Sequence, residues 1–348
     1  MSSDPSRFKF DSDWNDYFQN LVSSSAYDYL EINLKKPVLA GLMTSSKKIR
    51  STLVKLGANI FENCPDEKLI PLEMALEFLH NGSLMIDDIQ DESSVRRGKE
   101  PVYKKFGTHH AINSANFLYF WSYSSVLKMD LPPENQVRLM NLFSDTMLQA
   151  HAGQCLDLSV KATEVDLQQA QDLAFATIRL KTGALTSLAI LSGFEMNANS
   201  KESVESLQRT KIDLAQFGNE IGIFLQMCDD FGNLFSDQDP EKKYEDLRNN
   251  RVSFPISVFL SFAKKTEMIE FRSAVSSGRL KEAADLVKAS SAMALVENQI
   301  NQKLQFLLLF IKERFPRARN QIEMEDLCGK IFESYFEKEK LHGNEKPS

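Results

Sequence analysis

Two carboxylates stand one helical turn apart at Asp87 and Asp91, within the segment LMIDDIQDE at residues 84–92. A helical period of about 3.6 residues places both on one face and turns Asp88 about 100° away. The last turn of a helix favours cations, so carboxylates stacked there invite a compensating metal ion. Taken alone, the segment could equally be a solvated helix end.

A second acidic cluster follows in QMCDDFGN at residues 226–233, again at the polar end of an apolar helical pattern. Asp229 and Asn233 share a face there, as Asp87 and Asp91 do. Oxygen ligands suit hard cations, and Mg²⁺ takes only one or two carboxylates before water and phosphate oxygens complete its octahedron. The two clusters together predict a diphosphate held between them by bridging Mg²⁺.

Basic residues occur where such a diphosphate would need them. Arg96 and Arg97 follow the first acidic cluster, Lys181 lies inside another helical segment, and Lys243 follows the second cluster. A further set, Lys47, Arg50 and His80, predicts a second, metal-free anion pocket, with a basic helix surface as the alternative. The chain contains no Walker sequence and no GxGxxG, so any phosphate must be held by metals and basic side chains.

Helices must position all of these residues. Apolar residues recur every three or four positions from Pro71 to Gln90 and from Phe217 to Phe231, and Gly and Pro are scarce, with 14 and 11 residues. No strand-like alternation and no internal repeat is present. The pattern predicts a single all-α domain at residues 21–338, with polar tails at 1–20 and 339–348 that bury little.

Composition excludes several functional classes. The chain has 348 residues, 43% hydrophobic and 26% charged, which is typical of a globular protein. A net charge of -7 argues against a broad nucleic-acid-binding face. The four cysteines lack metal-binding spacing, and no secretory signal or apolar run of membrane-spanning length is evident. We therefore expect a cytoplasmic protein without a transmembrane segment.

The ordered motifs resemble those of the trans-isoprenyl diphosphate synthases, or polyprenyl synthetases, and most closely those of eukaryotic-type geranylgeranyl diphosphate synthases. The matching stretches are KKIR (47–50), HNGSLMIDDIQD (80–91), RRGK (96–99), INSAN (112–116), HAGQ (151–154), KTG (181–183), QMCDD (226–230), ED (245–246) and SFP (253–255). The resemblance implies the isoprenoid synthase fold, a bundle of long helices around a central cavity, usually in a homodimer. It also implies an enzyme that condenses isopentenyl diphosphate with an allylic diphosphate such as dimethylallyl, geranyl or farnesyl diphosphate.

The same resemblance assigns roles to individual residues. It makes Asp87, Asp91 and Asp229 the ligands of three Mg²⁺ ions that bind the allylic diphosphate. It places three basic residues on that diphosphate, namely Arg96, Lys181 and Lys243. It places four residues on the diphosphate of isopentenyl diphosphate, namely Lys47, Arg50, His80 and Arg97. Thr182 and Gln226 would lie near the reacting carbons.

Product length is predicted from the helix that carries Asp87. Gly82 and Ser83 lie about one turn before Asp87 and are small, so they leave the path of a growing chain open. By the resemblance, Tyr119, Phe120 and His151 would close the cavity farther along; ordinary core packing is the alternative for Tyr119 and Phe120. We expect a twenty-carbon product, with twenty-five carbons as the second choice.

Two other functions remain to be distinguished. A class I terpene cyclase would use a similar Asp-rich motif with Mg²⁺ but would not need a second diphosphate pocket. A non-catalytic helical partner subunit would have no need of the metal and anion residues. Departures from the family pattern occur at Asn233, at Tyr103 and at residues 248–251 (RNNR), and the alignment of Lys243 is off by about one residue.

Overall fold

The computed structural model describes residues 5–342 with the exception of 43–48, 197–202 and 236–242. Within this described part every named element is a helix, and only two isolated bridges, Arg96 with Lys99 and Lys161 with Arg251, have strand-like pairing. The predicted all-α fold is confirmed. The chain divides into two compact units, Met1–Thr52 with Pro65–Met140 and Leu53–Cys64 with Asn141–Ser348.

The first unit is built around two long packed helices, α5 and α7. Its helices are α1 (Pro5–Phe18), α2 (Ser24–Leu30), α3 (Lys36–Leu42), the first part of α4 (Ile49–Ala58), α5 (Asp66–Gln90), α6 (Val102–Phe106), α7 (Thr108–Leu127) and the beginning of α8 (Pro133–Ser159), with a π turn at Glu31–Lys35 between α2 and α3. Phe78 of α5 and Leu118 of α7 are fully buried in its core.

The N-terminal stretch departs from the sequence-based expectation, because α1 contributes to that core. Phe10 and Trp14 have 0% exposed surface, and the rings of Trp14 and Phe18 lie 4.5 Å apart. These aromatic residues recur every four positions and form one apolar stripe, which the Ser- and Asp-rich composition of residues 1–20 obscured. The expectation that this stretch buries little is therefore wrong.

The second unit is built around α11. It contains the remainder of α4 and α8, then α9 (Ala170–Ile178), α10 (Ala184–Met196), α11 (Val204–Phe235), α12 (Glu245–Arg248), α13 (Phe254–Phe262), α14 (Lys265–Ser276), α15 (Leu280–Ala289), α16 (Ala292–Arg314) and α17 (Gln321–His342), with a π turn at Arg179–Gly183 between α9 and α10. The predicted apolar stripe of α11 is buried along its length, from Phe217 through Phe224 to Phe231.

Two helix boundaries differ from the sequence-based reading. The helix that carries the first acidic cluster begins at Asp66, before the apolar pattern that starts at Pro71, so Pro71 lies inside the helix. At the other end of the chain, α17 continues to His342, past the predicted end of the domain at residue 338. Helix ends are the least constrained feature of a periodic pattern, because a pattern of apolar residues continues past a cap or stops before one.

One helical segment of the described residues, Ala170–Met196, is long and apolar enough to span a membrane by length and mean hydropathy alone. It comprises α9, the π turn and α10, and it packs on α11 within the second unit. Such packing is what a core helix requires. This segment matters for the site because the π turn carries Lys181 and Thr182.

Candidate active site

The first acidic cluster lies at the C-terminal end of α5, as predicted. Asp87 is in the last turn, and the backbone N–H of Asp91 at the C-cap donates to the Asp87 carbonyl at 2.9 Å. Arg96 Nε donates to Asp88 Oδ1 at 2.6 Å, and Arg96 Nη2 lies 3.3 Å from Asp87 Oδ2. Asp88, which the sequence pattern places off the shared face, is buried and anchors the arginine predicted to bind the allylic diphosphate.

A tight turn, rather than a helix, separates Arg96 from Arg97. The backbone of Arg96 exchanges two hydrogen bonds with Lys99, at 2.8 and 3.1 Å, and the central residues Arg97 and Gly98 have φ of 53° and 73°. Positive φ at both central positions is the signature of a type I′ turn. The two arginines, which are predicted to bind different diphosphates, therefore lie at successive positions of a turn.

Three of the four residues predicted to form the second anion pocket, Arg50, His80 and Arg97, lie near one another in the first unit. Arg50 donates from Nε and Nη2 to Glu77 Oε1 at 3.1 and 3.0 Å. Burial lowers the pKa of Arg97, and the neighbouring Arg50 and Arg96 lower it further. This mutual repulsion among arginines would be relieved by an anion. Lys47, the fourth predicted member, lies outside the described residues.

His80 is neutral at the centre of these arginines. Burial lowers its pKa well below the usual value, with smaller contributions from Arg50, Arg97 and Arg96. Its Nδ1 atom is buried and makes no hydrogen bond to the described residues. A neutral imidazole with one uncommitted ring nitrogen can either donate to or accept from a ligand, according to its tautomer.

Tyr103, a departure from the family pattern, has a structural role. Its hydroxyl donates to the Ser93 carbonyl at 3.0 Å and ties the start of α6 to the segment that follows α5. This segment leads from the first acidic cluster to the turn at Arg97.

In the second unit, Asp229 is held by a residue that sequence reasoning missed. The hydroxyl of Tyr335, on α17, donates to Asp229 Oδ1 at 2.6 Å. Burial raises the pKa of Tyr335 far above its usual value, and the neighbouring Asp229 adds to this effect. No local motif marks Tyr335, because it lies 106 positions from its partner.

Thr182 and Gln226 meet directly, as members of one hydrogen-bonded chain. Thr182 Oγ1 donates to Gln226 Oε1 at 2.8 Å, and Gln226 Nε2 donates to Asp230 Oδ1 at 2.7 Å. The other carboxylate oxygen of Asp230 accepts from the backbone N–H of Phe254 at 2.9 Å. Burial raises the pKa of Asp230 well above its usual value, and Asp246 and Asp229 raise it further. This chain fixes the orientation of the Gln226 amide.

Lys181 shares a carboxylate with Arg251. Lys181 Nζ lies 2.8 Å and Arg251 Nη1 lies 2.6 Å from the same oxygen, Asp157 Oδ2. Lys181 belongs to the π turn, and single π turns inside longer helices occur frequently at functional sites. Arg251 belongs to the RNNR segment that departs from the family pattern, and the structure places it beside a predicted substrate-binding lysine. Lys243, in contrast, has its ammonium 5.2 Å from the centre of the Tyr244 ring.

The predicted chain-length residues fall into two groups. Gly82 of α5 faces α7 so closely that a Cβ there would lie 2.9 Å from the Ala115 carbonyl oxygen and 3.1 Å from the Tyr119 ring. Burial and the nearby Asp87 raise the pKa of Tyr119 to about 12. Ser83 Oγ donates to the His80 carbonyl at 2.8 Å. Gly82 and Ser83 therefore lie on α5, the helix that carries Asp87, and Tyr119 lies on α7, which packs against α5.

Phe120 and His151, the other two predicted chain-length residues, are exposed on the surface of this chain. Phe120 is 76% exposed, because it lies about 100° around α7 from Tyr119 and off the face that meets Gly82. His151 is exposed on α8, with Nδ1 2.8 Å from the Met147 carbonyl oxygen one turn earlier. A role for either residue in product length stays a prediction.

The donor chemistry fits Mg²⁺, although no group of three or more His, Cys, Asp and Glu side chains within the described ranges could hold a metal. Each acidic cluster offers carboxylate oxygens, and Mg²⁺ usually takes one or two of these together with water and phosphate oxygens. Burial and the nearby Asp157 also raise the pKa of Asp246, to about 6. Asp229 and Asp246 in turn raise the pKa of Asp230, so the three carboxylates of the second unit repel one another. A bound cation would reduce this repulsion.

Comparison with known proteins identifies the family. The chain belongs to the polyprenyl synthetase family, whose model matches residues 32–293. It is 33% identical over 240 residues to geranylgeranyl pyrophosphate synthase olcC of Penicillium canescens, covering 68% of this chain and 63% of that protein. It is 30% identical over 240 residues to a terpene synthase of Matsumurasca onukii, covering 68% of this chain and 73% of that protein.

The fold is also shared with a solved structure. Geranylgeranyl pyrophosphate synthetase from Pyrococcus horikoshii superimposes with a TM-score of 0.71, covering 86% of this chain and 90% of that chain at 23% sequence identity. This likeness supports the isoprenoid synthase fold predicted from the sequence.

Proposed function

We propose that this protein is a Mg²⁺-dependent prenyltransferase that condenses isopentenyl diphosphate with an allylic diphosphate, and that its main product is geranylgeranyl diphosphate. The observation that carries the proposal is that Arg50, His80 and Arg97 lie near one another in the first unit. These basic residues form a set that is separate from the carboxylates Asp87 and Asp91. Two such sets of residues suit two different diphosphates. One diphosphate would be bound through Mg²⁺ on the carboxylates, and the other would be bound directly by the basic residues. Membership of the family and the olcC relative support the same activity.

In the proposed reaction the two substrates are bound by different residues. Asp87, Asp91 and Asp229 would hold Mg²⁺, which stabilises negative charge on the leaving diphosphate. Arg96, Lys181 and Arg251 bind that diphosphate through charge-assisted hydrogen bonds. The pair formed by Arg50 and Arg97, with neutral His80, binds the diphosphate of isopentenyl diphosphate.

The chemical step breaks the allylic C–O bond and forms one C–C bond. The diphosphate departs with the bonding electrons, and the double bond of isopentenyl diphosphate attacks the allylic cation. Loss of a proton, which the released diphosphate accepts, restores a double bond. The hydrogen-bonded Thr182 and Gln226 present fixed dipoles to the developing positive charge without the need to reorient.

A terpene cyclase is the second candidate, because one relative of this chain carries the name terpene synthase. A cyclase ionises a single diphosphate and has no use for the arginines around His80. A non-catalytic partner subunit is the third, and it would have no use for either set. The homodimer and the cytoplasmic location expected from the sequence belong to this proposal as well.

The test is incubation of the purified protein with Mg²⁺ and each allylic diphosphate, with and without isopentenyl diphosphate, followed by chromatography of the dephosphorylated products. We expect geranylgeraniol only when isopentenyl diphosphate is present. Asp87→Ala and Asp229→Ala should abolish it, whereas Asp326→Ala, which removes an exposed carboxylate of α17, should not. A cyclic hydrocarbon formed from one allylic diphosphate alone would instead establish a cyclase, and no product under any condition would favour a partner subunit.

A further inference from the structure

The contact between Tyr335 and Asp229 joins a predicted metal ligand to a helix more than a hundred residues away. The phenol oxygen lies 2.6 Å from Asp229 Oδ1, within the usual range of an O–H···O hydrogen bond. A phenol is protonated at neutral pH, so Tyr335 acts as the donor. The bond fixes one oxygen of the carboxylate relative to α17.

The chain makes room for this ring at Gly232, one turn after Asp229 on α11. A Cβ at position 232 would lie 3.0 Å from Cδ1 and 3.3 Å from Cε1 of Tyr335. Glycine inside a helix costs about 1 kcal/mol relative to alanine. Gly232 is thus an unfavourable residue for α11 itself but suits close packing of the Tyr335 ring.

We propose that Tyr335 is a positioning residue, which holds the Asp229 carboxylate in the orientation that binds Mg²⁺. The proposal rests on the function proposed above, in which Asp229 is a metal ligand. Carboxylates that bind metals are usually hydrogen-bonded by outer groups, and loss of such a group typically lowers metal affinity 10- to 100-fold. A tyrosine suits this role because its hydroxyl lies at the end of a rigid ring and does not compete as a charged ligand.

The experiment compares Tyr335→Phe with a matched control, Tyr27→Phe. The control also removes a phenol hydrogen bond, from Tyr27 to Asn15 Oδ1 at 2.7 Å, but in the first unit and between two residues that have no predicted role in the site. Binding is measured with Mn²⁺ alone, by electron paramagnetic resonance of the free ion, because Mn²⁺ takes the same oxygen ligands as Mg²⁺. The Mg²⁺ concentration that gives half of the maximal rate is measured in parallel.

We expect Tyr335→Phe to raise the Mn²⁺ dissociation constant and the half-saturating Mg²⁺ concentration by about tenfold. At saturating Mg²⁺ its kcat should stay within about threefold of the native value. Gly232→Ala, which requires the Tyr335 ring to shift by a few tenths of an ångström, should move both metal constants in the same direction. Tyr27→Phe should leave them unchanged.

Metal constants within twofold of the native values in Tyr335→Phe would overturn the proposal. So would a fall in melting temperature without a change in metal affinity, since that is the result expected of a purely structural tie between α17 and α11. A native protein that binds no Mn²⁺ would overturn both the metal assignment and this role of Tyr335. A native protein that binds Mn²⁺ but forms no prenyl product would refute the proposed function alone, and the Mn²⁺ measurement would still decide the role of Tyr335.

Discussion

Gly153 allows α8 to approach the π turn that carries Lys181, and its replacement by alanine tests how the site is built. A Cβ at position 153 would lie 2.7 Å from the Lys181 backbone nitrogen and 2.9 Å from the Leu180 Cβ. Ordinary van der Waals contact begins near 3.4 Å, so Gly153→Ala requires α8 and the turn to separate by about 0.7 Å. Asp157 lies one turn farther along α8, and the same movement would lengthen its contact with Lys181 Nζ from 2.8 Å to about 3.5 Å, past the usual 2.7–3.2 Å range of such a hydrogen bond.

Two magnitudes follow from this geometry. Overpacking of a close contact costs about 1–3 kcal/mol, whereas alanine in place of glycine in a helix gains about 1 kcal/mol. The free energy of unfolding should therefore fall by about 0–2 kcal/mol. If the Lys181 ammonium is displaced, loss of one charge-assisted contact to the allylic diphosphate costs about 1.5–3 kcal/mol, which lowers kcat/KM for that substrate roughly ten- to a hundred-fold.

Gly329→Ala is the matched control, because a Cβ at position 329 of α17 meets no atom of the described residues within 4 Å outside its own stretch of helix. Both variants gain the same helix propensity, so the difference between their unfolding free energies isolates the overpacking cost, about 1–3 kcal/mol. Urea unfolding measures that difference, and steady-state kinetics against the allylic diphosphate measures the loss of function. The reasoning is refuted if Gly153→Ala is as stable as Gly329→Ala and keeps the native kcat/KM.

Local periodicity was sufficient to predict the helical fold and the first acidic cluster. Asp87 and Asp91 lie at i and i+4 in one helix, so their shared face follows from helix geometry alone. The same principle explains the burial of the N-terminal helix, where a Ser- and Asp-rich composition hides the four-residue spacing of Phe10, Trp14 and Phe18. A narrow apolar stripe needs only one residue per turn, and polar residues can fill the rest of the helix.

The partners that orient the site residues could not be predicted, because the chain brings them together from distant positions. Asp157 contacts Arg251 across 94 positions, and Asp229 contacts Tyr335 across 106. Periodicity describes one element at a time and carries no information on which faces of separate helices meet. The turn at Arg97 could have been predicted from the sequence, since the glycine at position 98 is a local signal for positive φ.

The remaining predictions concern substrate binding, product length and pH. Arg97→Gln should raise KM chiefly for isopentenyl diphosphate and Arg96→Gln chiefly for the allylic substrate, each roughly tenfold or more; identical kinetic profiles of the two variants would contradict the assignment. Ser83→Phe should shift the chromatographed alcohol from geranylgeraniol to farnesol, because an aromatic ring one turn before Asp87 would block the growing chain; an unchanged alcohol would show that this position does not set the length. Asp246 has its pKa raised to about 6, from 3.8, by burial and by Asp157. Between about pH 4 and pH 6 the folded state keeps a proton that the unfolded state has released, so this group makes the fold less stable as pH rises through that window. Asp246→Asn removes the effect and should therefore raise the urea-unfolding free energy, relative to the native protein, more at pH 7.5 than at pH 4, whereas an equal difference at both pH values would show that the Asp246 carboxyl titrates normally.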